Sequence, residues 1–169
     1  MKKALKWVLL TLFVAVGSSA MAQQKLAYIN TDELIMAMPE RAEAAEKYET
    51  LYNELVNQME SMQVEYRRQL DEYTKEMNTL TAAVQSMREQ SLNDLRLRLQ
   101  ESEQLASQEL QTKQGELYNP VIEKATNTIQ EVARANGVTA VFDITSLLYF
   151  DEANMLDLLP LVKQAMGIQ

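Results

Sequence analysis

The chain has 169 residues, roughly one domain's worth, with 16 Lys and Arg against 24 Asp and Glu and a formal charge of −8. It has no Cys or His, four Gly and three Pro, which excludes disulfide scaffolds, Cys/His zinc sites, thiol catalysis and any triad with an imidazole base. The negative balance argues against nucleic acid as a partner, because phosphate neutralisation needs surplus Lys and Arg. The scattered Gly make no phosphate-cradling loop, so no nucleotide-driven machine is expected, and no cofactor-binding or metal-ligating residues are assigned.

Residues 1–22 read as an export signal. Lys2, Lys3 and Lys6 form a basic start, Trp7 to Val16 is apolar apart from Thr11, and Ala20-Met21-Ala22 gives the small-x-small pattern of a cleavage site. The apolar run is about half the ~20 residues a membrane span needs. Cleavage after Ala22 is expected, with the mature protein soluble outside the cytoplasm. No Cys follows the site to carry a lipid anchor. Without the three leader Lys the balance is 13 basic to 24 acidic, or −11.

Lys25 to Asn30, KLAYIN, favours a strand through Tyr28 and Ile29. Asn30 or Thr31 can cap a short helix over Thr31 to Met38, with Glu33 in capping-box position. Pro39 suits the first position of a second helix. From Glu40 to Gln114 there is no Gly and no Pro. Ala45, Tyr48, Tyr52, Leu55, Met59, Met62, Tyr66, Leu70, Tyr73 and Met77 step by three and four, a heptad seam with one slip near Leu70. A stripe that narrow must meet another helix. The pattern loosens through NTLTAAVQSM and resumes at Leu92, Leu95, Leu99, Ala106, Leu110 and Leu117. Two antiparallel helices are therefore predicted, 40–78 and 88–118, with the tip within 78–88.

Gly115 and Asn119-Pro120 mark the next change. Val121, Ile122, Ala125, Ile129, Val132 and Ala133 then make a broader apolar face, suited to packing on a sheet. Asn136-Gly137 is a helix stop. Val138 to Ile144 alternates, with Val138, Ala140, Phe142 and Ile144 on one face, and reads as a strand. Leu147 to Phe150 reads as another. Asp157 caps a last helix over Leu158 to Met166, which Gly167 ends. The predicted fold is α+β and mostly α. A long antiparallel coiled-coil hairpin, 40–114, stands on a small β-containing body built from 23–39 and 115–169. Such a small core is marginal alone, and joining subunits would also cover sheet edges, so a symmetric oligomer is expected. Leu26, Tyr28, Ile29, Val138, Ala140, Phe142 and Ile144 are its predicted body residues.

The order of leader, KLAYIN strand, short helix ending in MPE, charged hairpin, NPVIEKATNTIQEVARANGVTAVFD, LLY and terminal helix resembles the Skp/OmpH-like periplasmic chaperones. The resemblance covers the mature chain and is most specific over Asn119 to Asp143. DLLPLV, Asp157 to Val162, resembles a closing family motif, with Leu159 where Thr is expected. The resemblance implies a homotrimer joined through a β-barrel, from which three hairpins hang as tentacles around a cavity for unfolded outer-membrane proteins, with no ATP step. One departure is charge: a well-known member of the family is strongly basic, whereas this chain is acidic.

The charge is uneven. Glu40 to Tyr66 carries −5, Arg67 to Arg98 carries +1 and Leu99 to Gln114 carries −2. Solvated helices carry such charges without any function. The functional reading gives client contact to Arg67, Arg68, Lys75, Met87, Arg88, Arg96 and Arg98, and a weak membrane-surface contact to the tip. Flexible, polarizable Met suits varied partners, and Met87 lies off the seam. Catalysis is not expected, since the many carboxylates lie on a thin solvated hairpin with nothing to shift their pKa. The competing reading is a structural or tethering coiled coil of the cell envelope. The two differ in whether strands 26–30 and 138–144 meet.

Overall fold

The computed structural model of the chain describes residues 25–168. The predicted leader and its cleavage after Ala22 lie outside the described residues. Strand β1, Lys25–Ile29, opens the fold. Asn30 then caps helix α1, Thr31–Ala37, its side-chain oxygen accepting from the Glu33 N–H at 3.0 Å. Pro39 is the first residue of helix α2, Pro39–Glu76, where its missing N–H costs nothing. A 3-10 turn, Met77–Thr79, leads to helix α3, Ala82–Ala135, and strand β2, Val138–Asp143. Strand β3, Leu156–Asp157, and helix α4, Leu159–Met166, complete the chain.

The sheet order is β2-β1-β3, with both neighbours parallel to β1. Tyr28 and Phe142 are direct register partners, so the chain does return. One sheet face packs on helices. Ala27, Ile29, Leu34, Met38, Leu158 and Val162 are almost fully buried there, together with Val121, Ala125, Val132 and Ala133 of α3. Ile122, assigned from sequence to that face, is instead 49% exposed. Two joints hold the terminal helix. The Leu158 N–H donates to the Tyr28 carbonyl at 3.0 Å, and Lys163 Nζ reaches Glu33 Oε1 at 2.9 Å.

The turn falls at the near end of the predicted 78–88 window, where five residues, 77–81, separate α2 from α3, and the second arm starts at Ala82 rather than at 88. Ala82 to Gln85 are good enough helix formers to start the second arm at once. The Gln85 amide closes the turn by donating to the Met77 carbonyl at 2.5 Å. Nor does the second arm end near 118, because α3 runs 54 residues through Pro120 to Ala135. A proline removes one helical hydrogen bond, and the flanking burial of Leu117 and Val121 outweighs that loss.

Leu147 to Phe150 is not a strand. Both edges of β1 are taken, by β2 and by the two-residue β3, and Leu147 to Phe150 pairs with no strand among the described residues. Turns flank it, capped by Asp143 on the Thr145 N–H at 3.0 Å and by Asp151 on the Ala153 N–H at 3.1 Å. Strand β2 ends at Asp143, which leaves Ile144 in the first turn. Its alternation is also out of phase with the prediction. Lys25 pairs Val138 but Leu26 pairs Ala140, so Thr139 is an extra residue in a bulge. Val138 and Val141 therefore face the core, while Phe142 lies on the other side and is 40% exposed.

Two glycines adopt the left-handed conformation that ends helices. Gly137 has φ 65°, behind an Asn136 side chain that donates to the Val132 carbonyl at 2.8 Å. Gly167 has φ 71°, and the following Ile168 N–H returns to the Lys163 carbonyl at 2.9 Å.

Candidate functional site

Helices α2 and α3 pack as an antiparallel hairpin whose register is fixed by three cross-links. Lys124 pairs with Glu40 at the root. Ser102 Oγ lies 3.7 Å from Met62 Sδ midway. The Tyr73 hydroxyl donates to Glu89 Oε1 at 2.5 Å near the tip. That carboxylate, together with partial desolvation, raises the Tyr73 phenol above its usual range. At about 1.5 Å per residue the 38 residues of α2 extend about 57 Å.

The seam follows the predicted phase, with exceptions. Tyr48, Leu55, Met59, Met62, Tyr66 and Tyr73 are half-buried between the arms. Tyr52 and Leu70 are 48% and 40% exposed, and Leu51 and Gln69 turn inward instead. At the root Ala44, not Ala45, is buried, 4% exposed. On α3, Leu92 and Ala106 are buried, and Leu95, Leu99, Leu110 and Leu117 are half-buried.

All seven client-contact candidates are exposed. Met87, 71% exposed, stands near the tip with Met77 and Val84, 38% and 39% exposed. The basic candidates divide. Arg68 binds Glu65 and Glu72, each at 2.6 Å, and Lys75 binds Asp71 at 2.5 Å. Hydrogen bonds from Arg68 and Gln69 hold the Glu65 carboxyl down to about 2, and both carboxylates push the Arg68 guanidinium further up. Arg96 donates to Asn93 Oδ1 at 2.9 Å. Arg67, Arg88 and Arg98 have no ion pair among the described residues. The cross-link register sets Arg67 and Arg96 at one level of the hairpin.

Sequence reasoning missed a feature midway along the arms. Ser102 and Ala106 occupy seam positions where larger residues would fill the space. The helices leave a groove on each side of the seam, one of them lined by Ser102 and Ala106. One is lined by Val56, Met59, Glu60, Gln63, Leu99 and Glu103, and spans about 340 Å³. The other is lined by Leu55, Gln58, Met59, Leu105, Ala106 and Glu109. Met59 floors both, and Leu105 is 63% exposed at the rim of the second. The small residues at 102 and 106 were the available signal.

The body offers a second unpartnered surface. Leu26 and Tyr28 are half-buried on the sheet face opposite the core, with Ala140 beside them. Phe150 packs on Tyr28 with ring centroids 4.8 Å apart. Leu148 and Tyr149 project fully, 107% and 85% exposed. Of the predicted body residues, Ile29 and Val138 face the protomer's own core. Among the described residues no group of three His, Cys, Asp or Glu is placed to hold a metal, and no helix is long and apolar enough to cross a membrane.

Comparison with known proteins gives a consistent result. The profile of the family described as Outer membrane protein (OmpH-like) matches residues 25–166. Chaperone protein Skp of Pectobacterium atrosepticum is 23% identical over 153 residues, covering 90% of this chain and 93% of its own. Chaperone protein Skp of Photorhabdus luminescens is 20% identical over 149 residues, covering 88% and 90%. The crystal structure of an OmpH-like chain from Caulobacter crescentus CB15 superposes with a TM-score of 0.73 at 13% identity, covering 89% of this chain and 88% of that one.

Proposed function

The chain belongs to the OmpH-like outer membrane protein family, and from that premise we propose that it is an ATP-independent periplasmic holdase, a binding protein and not an enzyme. It captures unfolded outer-membrane proteins and keeps them from aggregating. The observation that carries this reading is the pairing of β1 with β2, Tyr28 against Phe142, on either side of the whole hairpin. Both ends of the hairpin are anchored in one body, and a slender arm projects from it. That is the geometry of a clamp. A tethering spacer would need its termini far apart.

Three copies complete the device. The sheet face with Leu26, Tyr28, Ala140 and Phe142 is open in one protomer, as is the Leu147–Phe150 segment with its projecting Leu148 and Tyr149. Exposed apolar area of this kind is stabilised by burial against other copies. Closing the sheets into a barrel would also cover the free outer edges of β2 and β3. Three hairpins would then surround a cavity, which a client enters by contacts with exposed arm residues such as Met87 and with Arg67, Arg88 and Arg98, which have no ion pair among the described residues. The same tip would make a weak contact with an anionic membrane surface.

The test is direct. A urea-unfolded outer-membrane barrel protein is diluted with and without the mature protein, and light scattering and complex mass are measured. Suppressed aggregation with one trimer per client supports the proposal. No suppression, with a monomer or dimer in solution, overturns it.

A further inference from the structure

The grooves midway along the hairpin sit in an unusual electrostatic setting. Tyr48 to Tyr66 of α2 carries Glu49, Glu54, Glu60 and Glu65 and no Lys or Arg. The facing stretch of α3, Leu99 to Thr112, carries Glu101, Glu103 and Glu109 and again no Lys or Arg. Only Glu65 of these has an ion pair among the described residues, with Arg68 at 2.6 Å. The band is about 28 Å long at ~1.5 Å per residue. Its carboxylates flank apolar floors: Glu60 and Glu103 stand beside Val56, Met59 and Leu99, and Glu109 stands beside Leu55 and Leu105. Glu60 and Gln58 are two residues, so about 200°, apart on α2, which puts the two grooves on opposite sides of the seam.

We propose that this waist is a docking surface for unfolded polypeptide segments in which apolar residues are flanked by Lys or Arg. This names the substrate class of the holdase and rests on that reading. Two independent properties point to the same occupant. One groove is lined by the small Ser102 and Ala106, the other lies between Val56 and Leu99, and Met59, shared by both, has three rotatable bonds and a polarizable sulfur that adapt its shape to different side chains. Above them the uncompensated carboxylates attract cationic side chains and repel acidic ones. The apolar floor supplies contact area, and the rim selects by charge. Lys and Arg suit such a site because their aliphatic stems lie on apolar surface while their charged heads reach the carboxylates. A second copy of this chain would bring its own negative band and be repelled.

The experiment uses the full mature protein and two short fluorescent peptides with one apolar centre, flanked in one by Lys and in the other by Glu. Binding is followed by anisotropy at about 10 mM and about 1 M salt, where the screening length falls from about 30 Å to about 3 Å. The Lys-flanked peptide is expected to bind about ten-fold tighter than the Glu-flanked one at low salt, and to lose that advantage at high salt. The double variant Glu60→Gln, Glu103→Gln should weaken the Lys-flanked peptide about five-fold, as expected for two exposed charge pairs. Both changes are on exposed helix positions, and circular dichroism checks that helicity is retained. Equal or tighter binding of the Glu-flanked peptide, no effect of the double variant, or self-association that the double variant abolishes would overturn the proposal. The aggregation assay is run in parallel. Suppression without peptide discrimination sinks the docking site and leaves the holdase. Discrimination without suppression does the reverse.

Discussion

Replacing Leu34 by Ala and, separately, Leu105 by Ala separates the leucines that hold the body together from those left for other uses. Leu34 is 0% exposed and is the one buried residue of α1, packed in the cluster that joins β1, α3 and α4. Its loss removes three carbons from water-free surroundings, about 2.4 kcal/mol at ~0.8 kcal/mol each. The space left adds about 24 cal/mol per Å³, which brings the expected cost to about 3–5 kcal/mol. With an m-value of about 2 kcal/mol per molar urea, the midpoint should fall by about 2 M. Leu105 is 63% exposed, so little is buried and no cavity forms; its change should cost less than about 1 kcal/mol. The assay is urea unfolding followed by far-ultraviolet circular dichroism at one protein concentration, since subunit association adds to apparent stability. Equal midpoint shifts for the two variants, or less than about 1 kcal/mol for Leu34→Ala, would refute the assignment of the core.

Further outcomes rest on single sites. The Glu65 carboxyl titrates at about 2 in the fold against an ordinary 4.5; its contribution to the arm is complete above the higher value and is lost as pH falls toward the lower. Part of the acid loss of helicity should therefore vanish in Glu65→Gln, measured by circular dichroism against pH. Burial raises the Asp143 carboxyl, but hydrogen bonds from the Thr31 hydroxyl and the Thr145 N–H outweigh it and leave the group below its ordinary 3.8. Asp143→Asn should accordingly destabilise the body at neutral pH and leave it less sensitive below pH 3.8, read from melting curves across that range. Gly137→Ala meets no atom within 4 Å but must hold φ at 65°, so a loss of about 1 kcal/mol in urea midpoint is expected from backbone strain alone. Gln85→Ala removes the bond that closes the tip, at a cost of about 1 kcal/mol, and should speed amide exchange over residues 77–89 while leaving the body unchanged.

Much of the fold is legible in the sequence because it rests on local chemistry. Asn30 caps, Pro39 starts a helix, Gly137 and Gly167 stop one, and the three-four spacing from Tyr48 to Tyr73 sets a seam. These features depend on residues a few positions apart. The differences arise where the decision is made across the chain. The two-residue β3 has no periodicity to read, and it wins the edge of β1 because Leu158 and Val162 anchor the adjoining α4 in the core. The Thr139 bulge is visible only once β1 lies alongside. The second arm starts earlier than predicted because the loosened pattern of NTLTAAVQSM reads as turn, whereas an exposed arm end needs no seam and still forms helix. The site is legible in outline only. The basic residues stand out in the sequence, but which of them are already engaged depends on carboxylates one turn away, as for Arg68 and Lys75. One groove of the waist is defined by what Ser102 and Ala106 omit.

The central strand of the sheet is made first and paired last. β1 emerges more than a hundred residues before β2, and its other neighbour comes later still. Closing so long a loop by random search would be slow. Zipping the hairpin from its five-residue turn replaces that search with successive local steps, and delivers Val138 to Lys25 as the last of them. Until then KLAYI would remain an unpaired, largely apolar segment at the start of the fold, so the rate at which the arms close would set how long the molecule is itself at risk of clumping.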